Sequence, residues 1–222
     1  MISNEEKKHR IAIPTYTLGE ELISSISHGV GALLGIAALV LCIVRSCNPL
    51  DGFKLASSIV FGLTVIILYL MSCLYHALKV NRAKRVFRVF DHCTIFLLIA
   101  GTYTPFTLVT LRETVGWWLF GVIWGTAVLG IVFNAISLKK FAKISVALYL
   151  VMGWMVVFSF NHLRAALAPA GVALLLSGGI GYTVGAILYG IGAKKRYFHS
   201  VFHFFCLLGT TLHFFAVYLY VL

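Results

Sequence analysis

The sequence predicts an all-α fold, a single bundle of seven membrane-spanning helices with the N-terminus cytoplasmic and the C-terminus outside. Three observations carry that prediction. Hydrophobic residues make up 60% of the 222-residue chain, and only 18 basic and 7 acidic side chains are formally charged. A water-soluble domain of this length needs more polar surface than that. The apolar residues fall into seven stretches close to the roughly 20 residues that cross about 30 Å of hydrocarbon as a helix. The basic residues, finally, crowd into alternate connections between those stretches.

The stretches run over residues 22–44, 55–78, 90–111, 115–138, 144–160, 171–191 and 198–222. The connections are short, so residues 22–222 read as one membrane domain behind a polar tail, residues 1–21. That tail lacks an apolar core with a cleavage site, so no removable signal peptide is expected. The first span itself serves as the insertion signal.

Lys7, Lys8 and Arg10 lie in the tail. Lys79, Arg82, Lys84, Arg85 and Arg88 follow the second stretch, Lys139, Lys140 and Lys143 the fourth, and Lys194, Lys195 and Arg196 the sixth. These are 14 of the 18 basic residues. Arg45, Lys54, Arg112 and Arg164 fall on the other side. The excess marks the cytoplasmic face, which orients both termini and requires an odd number of crossings. The formal net charge of +11 is therefore a topology signal and an attraction to anionic lipid headgroups. Nucleic acid is not expected as a partner, because no stacking aromatics are set among these basic residues. Membrane lipids are the expected partners, and the cell membrane is the expected location.

Smaller signals fit the same picture. Gly31/Gly35, Gly121/Gly125 and Gly181/Gly185 have the spacing that lets helix backbones approach closely, and they read as internal packing sites. Pro105 should bend the third span. Trp117, Trp118, Tyr218 and Tyr220 lie near outer ends, as interfacial anchors do. Cys42, Cys47, Cys73, Cys93 and Cys206 form no C-x-x-C motif and read as small apolar side chains.

Polar residues inside such a bundle are costly and point to a site. His199 and His203 open the seventh stretch four residues apart, so they share a helix face and can reach one metal ion. The alternative is a pair of interfacial aromatics just past Lys194, Lys195 and Arg196. The topology adds His76 and Asp91 at the same depth. Ser72 and His76 share a face at the cytoplasmic end of the second span, and Asp91 and His92 open the third. Three neutral imidazoles suit Zn2+ in tetrahedral geometry, and a fourth position left to water is the catalytic arrangement. Asp91 would then hold that water or act as general base, and Ser72 would hydrogen-bond the water or a carbonyl. Two alternatives stay open: Asp91 pairs with a basic neighbour such as Arg88, and Ser72 bonds back to its own helix.

His28, His92 and His213 are weaker candidates. His28 lies near the cytoplasmic start of the first span, within reach of a supporting role. His92 points about 100° away from Asp91 around the helix. His213 lies about 15 Å past His203 along the axis, too far for the same ion, and would line a cavity. Glu20 and Glu21 are expected to pair with inner-loop basic residues. His9 and His162 fall in exposed segments.

Ser72-x-x-x-His76, Phe90-Asp91-His92 and His199-x-x-x-His203 together resemble the motif set of the progestin and adipoQ receptor superfamily. Among its branches the chain is most similar to bacterial hemolysin III. Ser27-His28-Gly29, residues 100–106 and residues 212–218 extend the resemblance over nearly the whole chain after residue 16. The resemblance implies seven helices, a cytoplasmic N-terminus, zinc held by His76, His199 and His203, and Asp91 and Ser72 beside it. Eukaryotic receptors of the superfamily are linked to hydrolysis of the ceramide amide bond, and alkaline ceramidases belong to the wider superfamily. The bacterial branch is named for haemolysis, and some of its members are tied to membrane lipid homeostasis. The receptors carry a long cytoplasmic region where this chain has only residues 1–21, which argues against a receptor–adaptor role.

Three functions follow as expectations. The first is a zinc-dependent hydrolase of lipid amide or ester bonds in the inner leaflet. The second is a non-enzymatic regulator or sensor of membrane state with a structural zinc. The third is a cytolytic, pore-forming protein, which the single polar layer supports least. A retinal-type pump wants a lysine in mid-seventh span, and a two-half transporter wants internal repeats; the sequence shows neither.

Overall fold

The computed structural model describes residues 13–192 and 195–222. Lys7, Lys8, His9 and Arg10 of the tail, and Lys194 of the last basic loop, lie outside the described residues. The first helix, α1 (Leu18–Ser46), begins four residues earlier than hydrophobicity alone suggests because Thr17 and Glu20 form a capping box. Glu20 N–H donates to Thr17 Oγ1 at 3.3 Å, and Thr17 N–H donates to Glu20 Oε2 at 2.8 Å. Two backbone donors that have no partner within the helix are thereby satisfied. Helix α2 (Gly52–Ala77) is capped by Asp51, whose carboxylate accepts from the N–H of Phe53 and of Lys54. Those bonds, the one from Lys54 foremost, lower the Asp51 pKa.

Helix α3 (Arg82–Pro105) starts on Asn81, which accepts from Lys84 N–H, and ends at the proline. Pro105 has no N–H for the i→i−4 ladder, and the chain loosens there into a π-turn over Phe106–Thr110. Helix α4 (Gly116–Trp154) is interrupted at Ser137, where φ is −166° and ψ is 105°. Its two arms fold back on each other. Ser145 Oγ donates to Asn134 Oδ1 at 2.6 Å, and Phe133 stacks on Phe141 at 4.8 Å. In a straight helix, Asn134 and Ser145 would stand about 16 Å apart along the axis. A 3-10 turn (Met155–Ser159) leads to the short α5 (Phe160–Ala166), then to α6 (Pro169–Gly192) and α7 (Phe198–Tyr220).

Among the described residues, six helical segments are long and apolar enough to cross a membrane, the fourth being the folded-back unit Gly116–Ala166. They form a ring. Helix α1 packs between α2 and α7, α2 against α3, α3 against α4, and α7 against α6. The ring closes where Trp154 Nε1–H donates to Thr183 Oγ1 at 3.0 Å. Leu33, Val44, Val128, Ile136, Ile187 and Phe204 are exposed on its outside. A patch of that extent suits lipid rather than water.

Inside, small and hydroxyl residues such as Ser57, Ser58 and Thr64 stand among large core side chains such as Phe61, Tyr69 and Phe96. Lipid tails are as apolar as leucine, so close backbone approach and interhelical hydrogen bonds must hold the helices together. Gly101 of α3 sits directly against the Thr64 side chain of α2, with no room for a Cβ. Gly31 and Gly35 pack against α2 and α7, and Gly181 and Gly185 against α7, as expected. Gly121 and Gly125 differ: a Cβ at either would meet nothing within 4 Å, because both lie on the exposed side of α4. Spacing alone does not say which way a glycine pair faces.

Candidate metal centre

Two acidic residues at the start of α1 fix the ends of the helices that carry the histidines. Glu20 Oε1 accepts from the backbone N–H of Tyr197 at 2.7 Å. Tyr197 has a left-handed φ of 64°, a conformation that costs a non-glycine residue about 1–2 kcal/mol. The Glu20 bond holds it there and sets the angle at which α7 leaves its loop. Ser200 Oγ donates to Glu20 O, and Ser24 Oγ bonds Ser200 Oγ at 3.1 Å. The first turn of α7, with His199 in it, is thus tied to α1.

The three histidines meet as the sequence suggests. His199 Nε2 lies 3.3 Å from His76 Nε2 and 3.2 Å from His203 Nε2. One ring nitrogen from each lies within 4.8 Å of the other two, and all three residues are buried. Nitrogens bound to a tetrahedral zinc at about 2.0–2.1 Å are separated by about 3.3 Å. Two of the three spacings match that edge. Hydrogen bonding among the rings does not account for the cluster equally well. His76 Nδ1 faces the Glu21 carboxylate at 2.7 Å, which directs the His76 hydrogen to Nδ1 and leaves a lone pair on Nε2. A single hydrogen on His199 Nε2 cannot serve both neighbours. A shared cation satisfies all three lone pairs, so these residues can hold a metal ion.

Glu21 is the site residue whose role the sequence reading missed. It was expected to pair with inner-loop basic residues, and it does: Lys84 Nζ donates to Glu21 Oε1 at 2.6 Å. Its other oxygen orients His76, the carboxylate–histidine arrangement that fixes the tautomer of a metal ligand. Lys84 is itself only 1% exposed; it also donates to Leu78 O and lies over the Tyr75 ring at 5.1 Å. A signal for Glu21 was present, since it lies two helical turns before His28 on the same face of α1. Glu21→Gln is expected to lower metal affinity about 10–100-fold, read by titration with a competing chelator. Unchanged affinity would show that the carboxylate only anchors Lys84.

Tyr16 covers the cluster from the tail. Its ring stacks on His199 at 4.8 Å and lies 5.7 Å from His76. Burial raises its pKa above the ordinary phenol value, so it stays a neutral hydroxyl. His28 stands behind the cluster, its ring stacked on His203 at 3.7 Å, with both nitrogens buried and free of hydrogen bonds. It supports His203 by ring contact and not by a hydrogen bond.

His199 and His203 open onto a cavity of about 240 Å3 enclosed by the ring of helices. Asp91, Ser72, His28 and His92 line the same space, as does Arg88. The His92 carbonyl accepts from Tyr149 OH at 2.8 Å and from Asn134 Nδ2 at 3.3 Å, which ties α3 to both arms of α4. The walls beyond are apolar, with Leu68, Ile95, Leu98, Ile99 and Leu150, and His213 lines the cavity far from the cluster.

The haemolysin-III-related family description matches residues 16–214, which include every residue of the cluster. The chain belongs to the haemolysin-III-related family. That family is a branch of the progestin and adipoQ receptor superfamily. This haemolysin-III-related chain is 39% identical to Hemolysin-3 of Bacillus cereus over 208 residues, 94% of each chain. It is 40% identical to the Hemolysin-3 homolog of Bacillus subtilis (strain 168) over 205 residues, 92% of this chain and 96% of that one. With its apolar helices, this relationship makes the haemolysin-III-related protein a multi-pass protein of the cell membrane.

Proposed function

We propose that this haemolysin-III-related protein is a zinc-dependent hydrolase of lipid amide or ester bonds, ceramidase-like, that acts in membrane lipid homeostasis. The observation that carries this reading is the convergence of three ring nitrogens, two of their spacings matching a tetrahedral edge, beside a cavity that His199, His203, Asp91 and Ser72 line. When bound, zinc supplies a Lewis acid and makes hydroxide available near neutral pH. Asp91 takes the proton of the attacking water and returns it to the leaving amine or alcohol as the carbonyl carbon–heteroatom bond breaks. Ser72 donates a hydrogen bond to the carbonyl oxygen as negative charge builds there. The apolar walls hold the acyl chain and keep water from it. The deciding experiment is hydrolysis of a fluorogenic N-acyl lipid by the purified protein in nanodiscs. Turnover that stops with a zinc chelator and returns with zinc supports the reading; no turnover on amide or ester lipids overturns it.

A second reading has its own support. The cluster joins α2 to α7 and, through Glu21 and Lys84, to α1 and α3. A zinc there is also a staple, and a non-enzymatic sensor or regulator of membrane state would keep the metal without turnover. A cytolytic role rests on the names of the relatives alone.

The reading includes seven crossings, a cytoplasmic tail (residues 1–21) and a membrane domain (residues 22–222) facing lipid partners. The fold-back at Ser137 supports two crossings within Gly116–Ala166, with Lys139, Lys140 and Lys143 at its tip. At the opposite end, Lys54 Nζ donates to Leu222 O at 2.7 Å, and Arg45 lies over the Tyr218 ring. Alkaline phosphatase fused after Leu222 is expected to be active and, fused at Lys140, inactive. The reverse pattern overturns the orientation.

A further inference from the structure

His213 stands in the middle of α7, 8% exposed and about 15 Å beyond His203 along the helix axis. Its Nε2 lies 3.0 Å from the carbonyl oxygen of Leu175 on α6. A carbonyl only accepts, so Nε2 carries the hydrogen, and Nδ1 of the neutral ring is an acceptor. That Nδ1 is buried and has no hydrogen-bond partner. The ring is wedged in place, because its Nε2 edge lies against Gly178 of α6, where a Cβ would overlap it.

Three hydroxyls that line the cavity are committed elsewhere. Tyr103 OH donates to Gly153 O and accepts from Val156 N–H. Tyr182 OH bonds Thr210 Oγ1, and Thr183 Oγ1 donates to Gly179 O. Among the described residues none donates to Nδ1, and His213 lines the cavity, from which a donor can come. Space is available, since His213 lines both the large cavity and a second one of about 40 Å3 that also borders Tyr103 and Trp154. A buried acceptor without a partner favours one kind of occupant over a plain hydrocarbon chain, because only a donor removes the unmet hydrogen bond.

We infer that the end of the cavity remote from the metal centre binds a hydroxyl group on the chain of an amphiphile, with His213 Nδ1 accepting its hydrogen bond. The ligand class is a long-chain lipid or fatty acid hydroxylated in the distal half of its chain. The inference rests on the reading that an acyl chain occupies this cavity with its polar end at the histidine cluster.

The test is competition against a fluorescent fatty acid on the full protein in nanodiscs, comparing octadecanoic acid with an octadecanoic acid hydroxylated in its distal half. Wild type is expected to bind the hydroxylated acid about tenfold more tightly. His213→Leu should remove that preference while still binding octadecanoic acid, and His213→Asn, which keeps an acceptor, should retain part of it. Equal binding of both acids by wild type overturns the inference alone and points to a water on Nδ1. A preference that survives in His213→Leu also overturns it, since the hydroxyl is then held elsewhere. Binding of neither acid overturns both the inference and the acyl-chain reading. Should the leucine variant fail to fold, His213→Phe takes its place with the same two outcomes, and equal binding of both acids by wild type still overturns the inference.

Discussion

His199→Ala is expected to release the metal almost completely. Its Nε2 is the central member of the cluster, within 3.3 Å of both other ligand nitrogens. Its loss leaves His76 and His203 as the only ring donors of the three. Elemental analysis of detergent-purified protein should give about one zinc per chain for wild type, since three clustered histidines make one site. It should give close to none for His199→Ala and sharply reduced zinc for His76→Ala and His203→Ala. The histidine cluster also links α2 to α7, so all three variants should unfold at lower temperature, and chelator-treated wild type should fall with them. If the variants keep their zinc, the ligands lie elsewhere, and the proposed chemistry falls with the site.

Asp91→Ala is expected to do the opposite, keeping the metal and losing the reaction. Asp91 lines the cavity beside His199 and His203 but is not one of the three clustered donors. Zinc content should therefore match wild type. A positioned general acid–base contributes about 10²–10⁴ in rate, and turnover on an N-acyl lipid should fall by that factor in Asp91→Ala, with Asp91→Asn similar. Comparable turnover in both variants and wild type would remove Asp91 from the mechanism. A wild type that holds zinc yet cleaves neither amide nor ester lipids would favour the structural-zinc reading. Zinc content and turnover, measured on the same preparations, separate the ligand role from the catalytic one.

Much of the architecture was legible because a bilayer constrains sequence harshly. A chain crossing hydrocarbon must satisfy its backbone internally, and helices of about 20 apolar residues do so one by one. All seven apolar stretches therefore fall, to within two residues at their ends, in the six spanning segments seen among the described residues. The fourth and fifth stretches lie together in Gly116–Ala166, divided by the non-helical backbone at Ser137 and the adjoining Lys139, Lys140 and Lys143. The start of α1 was placed late because Thr17 and Glu20 extend the helix through capping, which hydrophobicity does not register.

The sequence by itself determined that the chain is a helical membrane protein and that His76, His199 and His203 lie at one depth. Composition, loop charge and the i, i+4 spacing are local properties, and each survives without knowledge of which helices touch. Only the tertiary structure decided how those histidines are held. Glu21 reaches His76, and Glu20 holds Tyr197 in its left-handed turn, because α1 lies between α2 and α7. The Nδ1 of His213 is left without a partner because its ring is pinned between a carbonyl and a glycine of α6. The outward face of Gly121 and Gly125 is likewise a matter of which side of α4 meets lipid. These are relations between helices, set by packing across the ring, and no spacing within a single helix encodes them.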